Sequence, residues 1–185
     1  PYNTTQCEWE YDIDLTSLWN EWQRILKPNG VICVFADEPF TSRLIVSNLD
    51  WFKYRITWDK MTGSNFLNAH KMPLRQTEDV VVFSGVNNGN YTYNPILIDK
   101  PKNNIRPMGN PKPKKASTYG EHNGAFHESY DNTKSHPTNL LSISSKQGEC
   151  NPLNRWHPTQ KPTEIMQWLV KTFSNQHELV FDGYS

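Results

Sequence analysis

Apolar residues recur in two different spacings along the first part of the chain. Asp14, a favoured residue type at a helix N-cap, precedes an apolar stripe with the spacing of an amphipathic helix. The stripe consists of Leu15, Leu18, Trp19, Trp22, Ile25 and Leu26. The turn residues Pro28-Asn29-Gly30 then predict the end of this helix. The continuous apolar run at residues 31–35 predicts a strand that is buried on both faces.

The same patterns predict further elements along the chain. Residues 40–48 read as a second helix, and residues 54–58 and 79–83 as two more strands. Near the end, the apolar positions of a third helix are spaced about three or four apart. They are Ile165, Trp168, Leu169 and Phe173. Residues 179–181 predict a short final strand. Helices that alternate with strands indicate an α/β domain.

The most specific motif is the hexapeptide at residues 157–162, His-Pro-Thr-Gln-Lys-Pro, which comes directly before the third helix. Pro158 restricts His157 to extended conformations, and Pro162 suits the first turn of a helix. The motif therefore predicts a stiff loop that carries a hydroxyl, an amide and an ammonium group to a helix N-terminus. Such a terminus can bind polar ligands. By composition alone, an ordinary proline-punctuated helix start is an equal alternative.

The hexapeptide resembles the cofactor loop of the amino-directed DNA methyltransferases of the permuted, beta-type order, which use S-adenosylmethionine. Pro1-Tyr2 resembles the end of their Asp-Pro-Pro-Tyr catalytic motif, and residues 179–185 resemble the strand and first turn of their cofactor loop. The resemblance implies a Rossmann-like methyltransferase sheet, mixed but mostly parallel, with an irregular target-recognition insertion. It also implies methyl transfer to an exocyclic amino group of a flipped DNA base, with adenine N6 favoured over cytosine N4 only by frequency in the family.

The resemblance implies roles for single residues. Pro1 would offer its carbonyl to the amino group, and Tyr2 would stack on the extruded base. The residues on the cofactor side would be His157, Pro158, Thr159, Lys161, Phe181, Asp182, Gly183 and Tyr184. The family has Pro and Phe at the positions of Gly183 and Tyr184, so this part of the match is weaker. The acidic or serine residue expected before Pro1 and the glycines expected after Ser185 lie outside the sequence.

The order of the motifs predicts three parts. Residues 1–86 would form the first part of the catalytic core, residues 87–155 the target-recognition insertion, and residues 156–185 the cofactor-binding part. Prolines are frequent at residues 95–113, where helical and strand periodicity is lost. Residues 63–75 also lack periodicity, and they read either as a solvated loop or as a loop that faces DNA at the sheet edge.

Local charge is informative, although the whole chain is balanced, with 19 Lys and Arg against 19 Asp and Glu. Between Asp99 and Lys115, six basic residues accompany one acidic residue. A basic cluster favours phosphate contacts because each contact releases condensed counterions. We therefore expect contacts with the backbone of double-stranded DNA from Lys100, Lys102, Arg106, Lys112, Lys114 and Lys115. A solvated arm that binds nothing is the alternative.

Other features exclude several classes of protein. Three scattered cysteines fit reduced thiols in a cytoplasm better than a disulfide framework, and no zinc-ligand spacing accompanies them. We therefore expect no metal. No apolar run is long enough to span a bilayer. Because the first residue is proline, we expect the natural N-terminus to lie upstream. The abrupt ends indicate a fragment, and the resemblance implies that the parent protein is a bacterial or phage modification enzyme.

The sequence leaves several alternatives open. A catalytically inactive DNA-binding module would share this fold, and an RNA or protein methyltransferase would share the cofactor site. A homodimer and a cognate restriction endonuclease are partners that the resemblance allows. Methyl transfer to DNA, RNA or protein by the full-length chain separates these alternatives.

Overall fold

A computed structural model describes residues 13–86, 90–105, 131–146, 150, 151, 153, 155–157 and 159–183. They belong to two compact units. The first comprises the described residues of Pro1–Asn94 and Thr138–Ser185, and the second those of Pro95–Pro137. The candidate site lies in the first unit. No helix in the described ranges is both long enough and apolar enough to cross a membrane.

The described residues form three helices, which the sequence predicts to within two residues at most ends. They are α1 (Leu15–Ile25), α2 (Phe40–Ser47) and α3 (Thr163–Phe173). Helix α1 begins where the Asp14 carboxylate accepts a hydrogen bond of 3.0 Å from the Thr16 amide, as its N-cap position predicts. Pro162 precedes α3 as its N-cap residue, and its ring supplies no side-chain cap.

The described strands are β1 (Ile32–Ala36), β2 (Phe52–Ser64), β3 (Arg75–Phe83), β4 (Ile98–Asp99), β5 (Lys134–Ser135) and β6 (Leu140–Ser142). Strands β2 and β3 are longer than predicted, because their polar ends still pair across the hairpin that joins them. Strand β6 was not predicted, since a two-leucine segment carries too little periodicity. The prediction of a strand at residues 179–181 is wrong: the structure has no strand there, and these side chains are exposed.

The main sheet has the order β1-β3-β2-β6. Strand β3 pairs antiparallel with both β1 and β2, whereas β2 pairs parallel with β6. The mixed α/β sheet predicted from the sequence is therefore confirmed. The parallel majority is not found among the described strands, because the short β2–β3 connection can join only antiparallel neighbours.

Helices cover both faces of this sheet. Successive residues of a strand point to opposite faces, so Val80 and Val82 of β3 pack toward α3, whereas Val81 and Phe83 pack toward α1 and α2. The α3 side also buries Ile56, Trp58, Ile143, Ile165, Leu169 and Phe173. The opposite side buries Trp19, Ala36, Phe40 and Leu44. Burial on both faces explains why the apolar runs of β1 and β3 are nearly continuous.

The second unit contains a short antiparallel pair in its described part. Strand β4 pairs with β5, and the Lys134 ammonium lies 3.3 Å from the Asp99 carboxylate. Lys100 donates a hydrogen bond of 3.2 Å to the carbonyl of Asn132. The predicted insertion, residues 87–155, contains this unit and also β6, which pairs with the main sheet.

The two described cysteines are free thiols. Cys33 lies on β1 against the α3-side core, and burial raises its pKa to about 12. This thiol stays protonated at neutral pH, so it is a packing residue and a poor nucleophile.

Candidate functional site

The candidate site begins at β3, where two acidic residues precede the buried valines. Glu78 and Asp79 are each only 9% exposed. Because neighbouring residues of a strand point to opposite faces, Glu78 shares the α3 face with Val80, and Asp79 shares the other face with Val81. Buried carboxylates need partners, since an unpaired buried charge is costly. The partners of these two carboxylates define the site.

Lys161 of the hexapeptide is the principal partner of Glu78. Its ammonium donates a hydrogen bond to Glu78 Oε1, and the Lys60 ammonium lies 4.0 Å from Glu78 Oε2. The Lys161 ammonium also lies 5.0 Å from the ring centroid of Phe35 and 5.5 Å from that of Trp58. Both distances are within the range of cation–π attraction. The hexapeptide is thus attached to the sheet near the end of β1 and the middle of β2.

The rest of the hexapeptide is held by hydrogen bonds within the loop. The backbone amide of Thr159 donates to His157 Nδ1 at 3.2 Å, and the Thr159 hydroxyl lies 2.9 Å from the same nitrogen. Gln160 Oε1 accepts a hydrogen bond of 2.9 Å from the amide of Trp156. With Nδ1 as the acceptor, the ring proton of neutral His157 belongs on Nε2. These bonds stiffen the loop, as its prolines predict.

Asp79 has its partners on the opposite face of the sheet. Its carboxylate accepts a hydrogen bond of 3.1 Å from the buried hydroxyl of Thr41 and one of 3.4 Å from the Arg55 guanidinium. Burial raises the pKa of Asp79, and this effect outweighs the lowering by Arg55 and Thr41. Nearby, the Arg75 guanidinium lies 2.8 Å from the carboxylate of Asp37, the residue that follows β1.

Charged residues of both signs therefore meet around the end of β1 and the start of β3. Asp37, Glu78 and Asp79 were not predicted from the sequence as site residues. The signal that could have found them is an acidic residue directly beside a buried apolar run. At such a position, an acidic residue is normally expected to belong to a solvated turn. No group of three or more potential ligand residues in the described ranges is arranged to hold a metal ion.

The structure describes only some of the predicted site residues. Lys161 is brought to the sheet, whereas His157 and Thr159 are exposed in the same loop. Phe181, Asp182 and Gly183 lie in an exposed segment without strand structure. Pro1, Tyr2, Pro158 and Tyr184 lie outside the described residues, so the convergence of the three motifs on one pocket stays a prediction.

The predicted DNA contacts are described only in part as well. Lys100 contacts the Asn132 carbonyl, and Lys102 is an exposed residue in a 3-10 turn at Lys102–Asn104. Arg106, Lys112, Lys114 and Lys115 lie outside the described residues. Their contacts with phosphates stay a prediction.

A family model described as DNA methylase, of the N6/N4 class, matches residues 1–185. The type II methyltransferase M.HpaI of Haemophilus parainfluenzae is 23% identical over 190 residues, covering 99% of this chain and 52% of that protein. The chain thus spans about half the length of this relative.

A solved structure, described as an M1.HpyAVI–SAM complex, is also similar. It is 18% identical, the match covers 95% of this chain and 64% of that one, and the TM-score is 0.49. The family match extends along the whole sequence. The chain therefore belongs to the N6/N4 family of DNA methylases.

Proposed function

We propose that the full-length protein transfers a methyl group from S-adenosylmethionine to an exocyclic amino nitrogen in double-stranded DNA. The observation that carries this proposal is the DNA methylase family match over residues 1–185. We further propose adenine N6 as the favoured target, cytosine N4 as the alternative, and the bacterial cytoplasm as the location, whether the enzyme is encoded by a bacterium or by a phage. A homodimer and a cognate endonuclease belong to the same proposal.

The chemistry of the described residues fits the cofactor. S-adenosylmethionine has ribose hydroxyls, an amino-acid group and a sulfonium, which need hydrogen-bond donors, acceptors and negative charge. The hexapeptide supplies a hydroxyl at Thr159 and an ammonium at Lys161, and the exposed carboxylate of Asp182 follows α3. The hexapeptide is also stiffened by its own hydrogen bonds before any ligand arrives. A preformed polar loop lowers the ordering cost of binding.

The cofactor, when bound, supplies an electrophilic methyl group on its sulfonium. The work of the protein is then to hold the amino nitrogen in line with that methyl group and to localise its lone pair, which is otherwise delocalised into the base. In the proposal, the Pro1 carbonyl accepts a hydrogen bond from the amino group and Tyr2 stacks on the base. Stacking contributes roughly 1 to 3 kcal/mol per base, which offsets much of the cost of extruding it from the duplex.

The Glu78–Lys161 pair supports different roles for different residues of the hexapeptide. Lys161 is 23% exposed at its side chain and is engaged by a buried carboxylate. We propose that it anchors the loop as well as bordering the cofactor, while the exposed Thr159 and His157 face the ligand. This proposal makes Glu78 a positioning residue, because it acts through Lys161.

Titration of the full-length protein with S-adenosylmethionine tests the site. We expect the Lys161→Ala, Asp182→Ala double variant to bind at least about tenfold more weakly, which corresponds to about 1.4 kcal/mol. Because loss of Lys161 removes the hydrogen-bond partner of Glu78 Oε1, Thr159→Ala and Asp182→Ala are measured separately, and circular dichroism checks folding. Lys171→Ala, in the last turn of α3, is the matched control. Unchanged affinity in the double variant would remove this site assignment.

A further inference from the structure

In the loop that joins β2 to β3, residues 65–74, two large apolar side chains are exposed while two asparagines are partly buried. Phe66 is 75% exposed and Leu67 is 83% exposed, whereas Asn65 and Asn68 beside them are partly buried. A solvated loop normally directs its polar side chains outward. Large apolar side chains that are exposed together are typical of contact surfaces. We call residues 65–74 the β2–β3 loop.

Polar groups inside the β2–β3 loop hold this arrangement. The Asn68 side-chain amide donates to Asn65 Oδ1 at 2.8 Å, and the amides of Lys71 and Met72 donate to the Asn68 carbonyl at 2.8 and 3.0 Å. Asn65 has a φ of 67°, a left-handed conformation that asparagine tolerates better than most residues. A 3-10 turn, Phe66–Asn68, carries the apolar pair. The loop therefore presents Phe66 and Leu67 in a defined conformation.

Further large apolar side chains of the same hairpin are exposed. Met61 is 60% exposed, Met72 is 47% exposed and Leu74 is 45% exposed. The loop also connects the two strands that carry the site. Strand β2 contributes Trp58 and strand β3 contributes Glu78 around the Lys161 ammonium. A polymer that presents one of its units at the site would pass close to these strands.

Charge favours a polyanion as the occupant of this surface. No Asp or Glu occurs between Asp59 and Glu78, whereas His70, Lys71 and Arg75 do occur there. His70 and Lys71 are exposed. The exposed ammonium of Lys71 and the imidazole of His70 beside an apolar tip match a duplex, in which phosphates flank stacked bases. An isologous contact between this loop in two copies of the chain would instead bring their like-charged residues close together.

We propose that the β2–β3 loop binds double-stranded DNA, with Phe66 and Leu67 inserted between bases beside the base that is modified. The inference rests on the proposed function, because it takes DNA as the substrate. Apolar wedges of this kind unstack a base step and fill the space that an extruded base leaves. His70 and Lys71 then contact the phosphates next to the wedge.

The test measures duplex affinity of the full-length protein by fluorescence anisotropy. The probe is a duplex with the sequence methylated in a host that expresses the protein, or a random-sequence duplex if no methylation is detected. Phe66→Ala with Leu67→Ala removes the wedge. The matched control, Val46→Ala with Leu49→Ala, removes two apolar side chains that are 70% and 61% exposed elsewhere. We expect about a tenfold or greater loss of affinity for the loop variant and no change for the control, since only the loop variant loses side chains that contact the bases.

Two outcomes would overturn the inference: wild-type duplex affinity in the loop variant, or an equal loss of affinity in the control. If the loop variant keeps wild-type affinity but changes its oligomeric state in sedimentation, the loop is a contact between copies. Methyl transfer is measured separately. If the wild type transfers methyl groups and the loop variant keeps its duplex affinity, only this inference is removed. If the wild type transfers no methyl group and the loop variant loses duplex affinity, only the proposed function is removed.

Discussion

A single ion pair connects the most specific motif of the sequence to the sheet. Glu78 is almost fully buried, and its carboxylate has Lys161 as a hydrogen-bond partner and Lys60 at 4.0 Å. The sequence predicted the lysine as a site residue but gave no sign of its partner, because the two lie 83 positions apart along the chain. Long-range pairs of this kind depend on strand register, which local periodicity does not determine.

Glu78→Gln tests how much the fold depends on this pair. The variant keeps the shape of the side chain but removes the charge, so the Lys161 ammonium is left without its carboxylate in a partly buried position. We expect a loss of about 1 to 3 kcal/mol in the free energy of unfolding, less than for a fully buried pair because Lys161 is partly solvated. Urea unfolding measures it.

The control for Glu78→Gln is Glu21→Gln, which breaks the exposed pair between Glu21 and Arg24. Exposed pairs contribute little, so this control should change stability by less than about 0.5 kcal/mol. Equal effects of the two substitutions would show that Glu78 does not anchor the hexapeptide. A further expectation is that Glu78→Gln weakens binding of S-adenosylmethionine while Glu21→Gln does not.

Asp79 provides a prediction about pH. Burial raises its folded pKa above the usual value near 3.8. The folded state then holds the proton more tightly than the unfolded state, so stability is lost as pH rises from below 3.8 through the raised pKa. At neutral pH the ionised carboxylate therefore lowers stability, and Asp79→Asn removes this effect while keeping an acceptor for Thr41.

We accordingly expect Asp79→Asn to unfold at an equal or higher temperature than the wild type at pH 7. The advantage should shrink as pH falls through the raised pKa towards 3.8, and it should be absent at lower pH, where the carboxyl is protonated in both states. Thermal unfolding at several pH values measures this difference, with Asp99→Asn as an exposed control. A variant that is clearly less stable at pH 7 would show that the contact with Arg55 outweighs burial.

At the scale of elements, the helices were easier to predict than the strands. The apolar stripes of α1 and α3 and the Asp14 cap are local signals, and the structure reproduces them. The outer ends of β2 and β3 are polar and are stabilised by pairing with each other, so apolar periodicity could not reveal them. Residues 179–181 are apolar but exposed, which shows that composition alone does not make a strand.

Helix α3 holds the hexapeptide in place through the residues that it buries. Ile165 is fully buried against the sheet two residues after the helix begins. Ile165→Ala should lower the free energy of unfolding by about 2 to 5 kcal/mol, because it removes buried methylene groups and leaves a cavity. Calorimetry or urea unfolding measures the loss.

Val170→Ala is the matched control on the same helix, since Val170 is 40% exposed. We expect a change of less than about 1 kcal/mol for this variant. If the two substitutions cost the same, α3 would not cover the sheet as described, and the support of the hexapeptide would need another source.

At the scale of the whole molecule, charge and composition gave little indication of the family, whereas the motifs and their order along the chain indicated it. The balanced net charge gives no sign of a nucleic-acid partner, whereas the hexapeptide and the two chain ends resembled one family, to which the chain belongs. Of the candidate site, the sequence predicted the hexapeptide with Lys161. The carboxylates that support it, Asp37, Glu78 and Asp79, became visible when the fold brought distant segments together.

The chain spans about half of its relative M.HpaI, so its activity has to be measured on the full-length protein. The most direct measurement supplies methyl-labelled S-adenosylmethionine and unmethylated duplex DNA, then identifies the labelled nucleoside by mass spectrometry. We expect the label on N6-methyladenine or N4-methylcytosine. Label on a ring carbon of cytosine, label in RNA or protein instead of DNA, or no transfer by a folded full-length protein would contradict it.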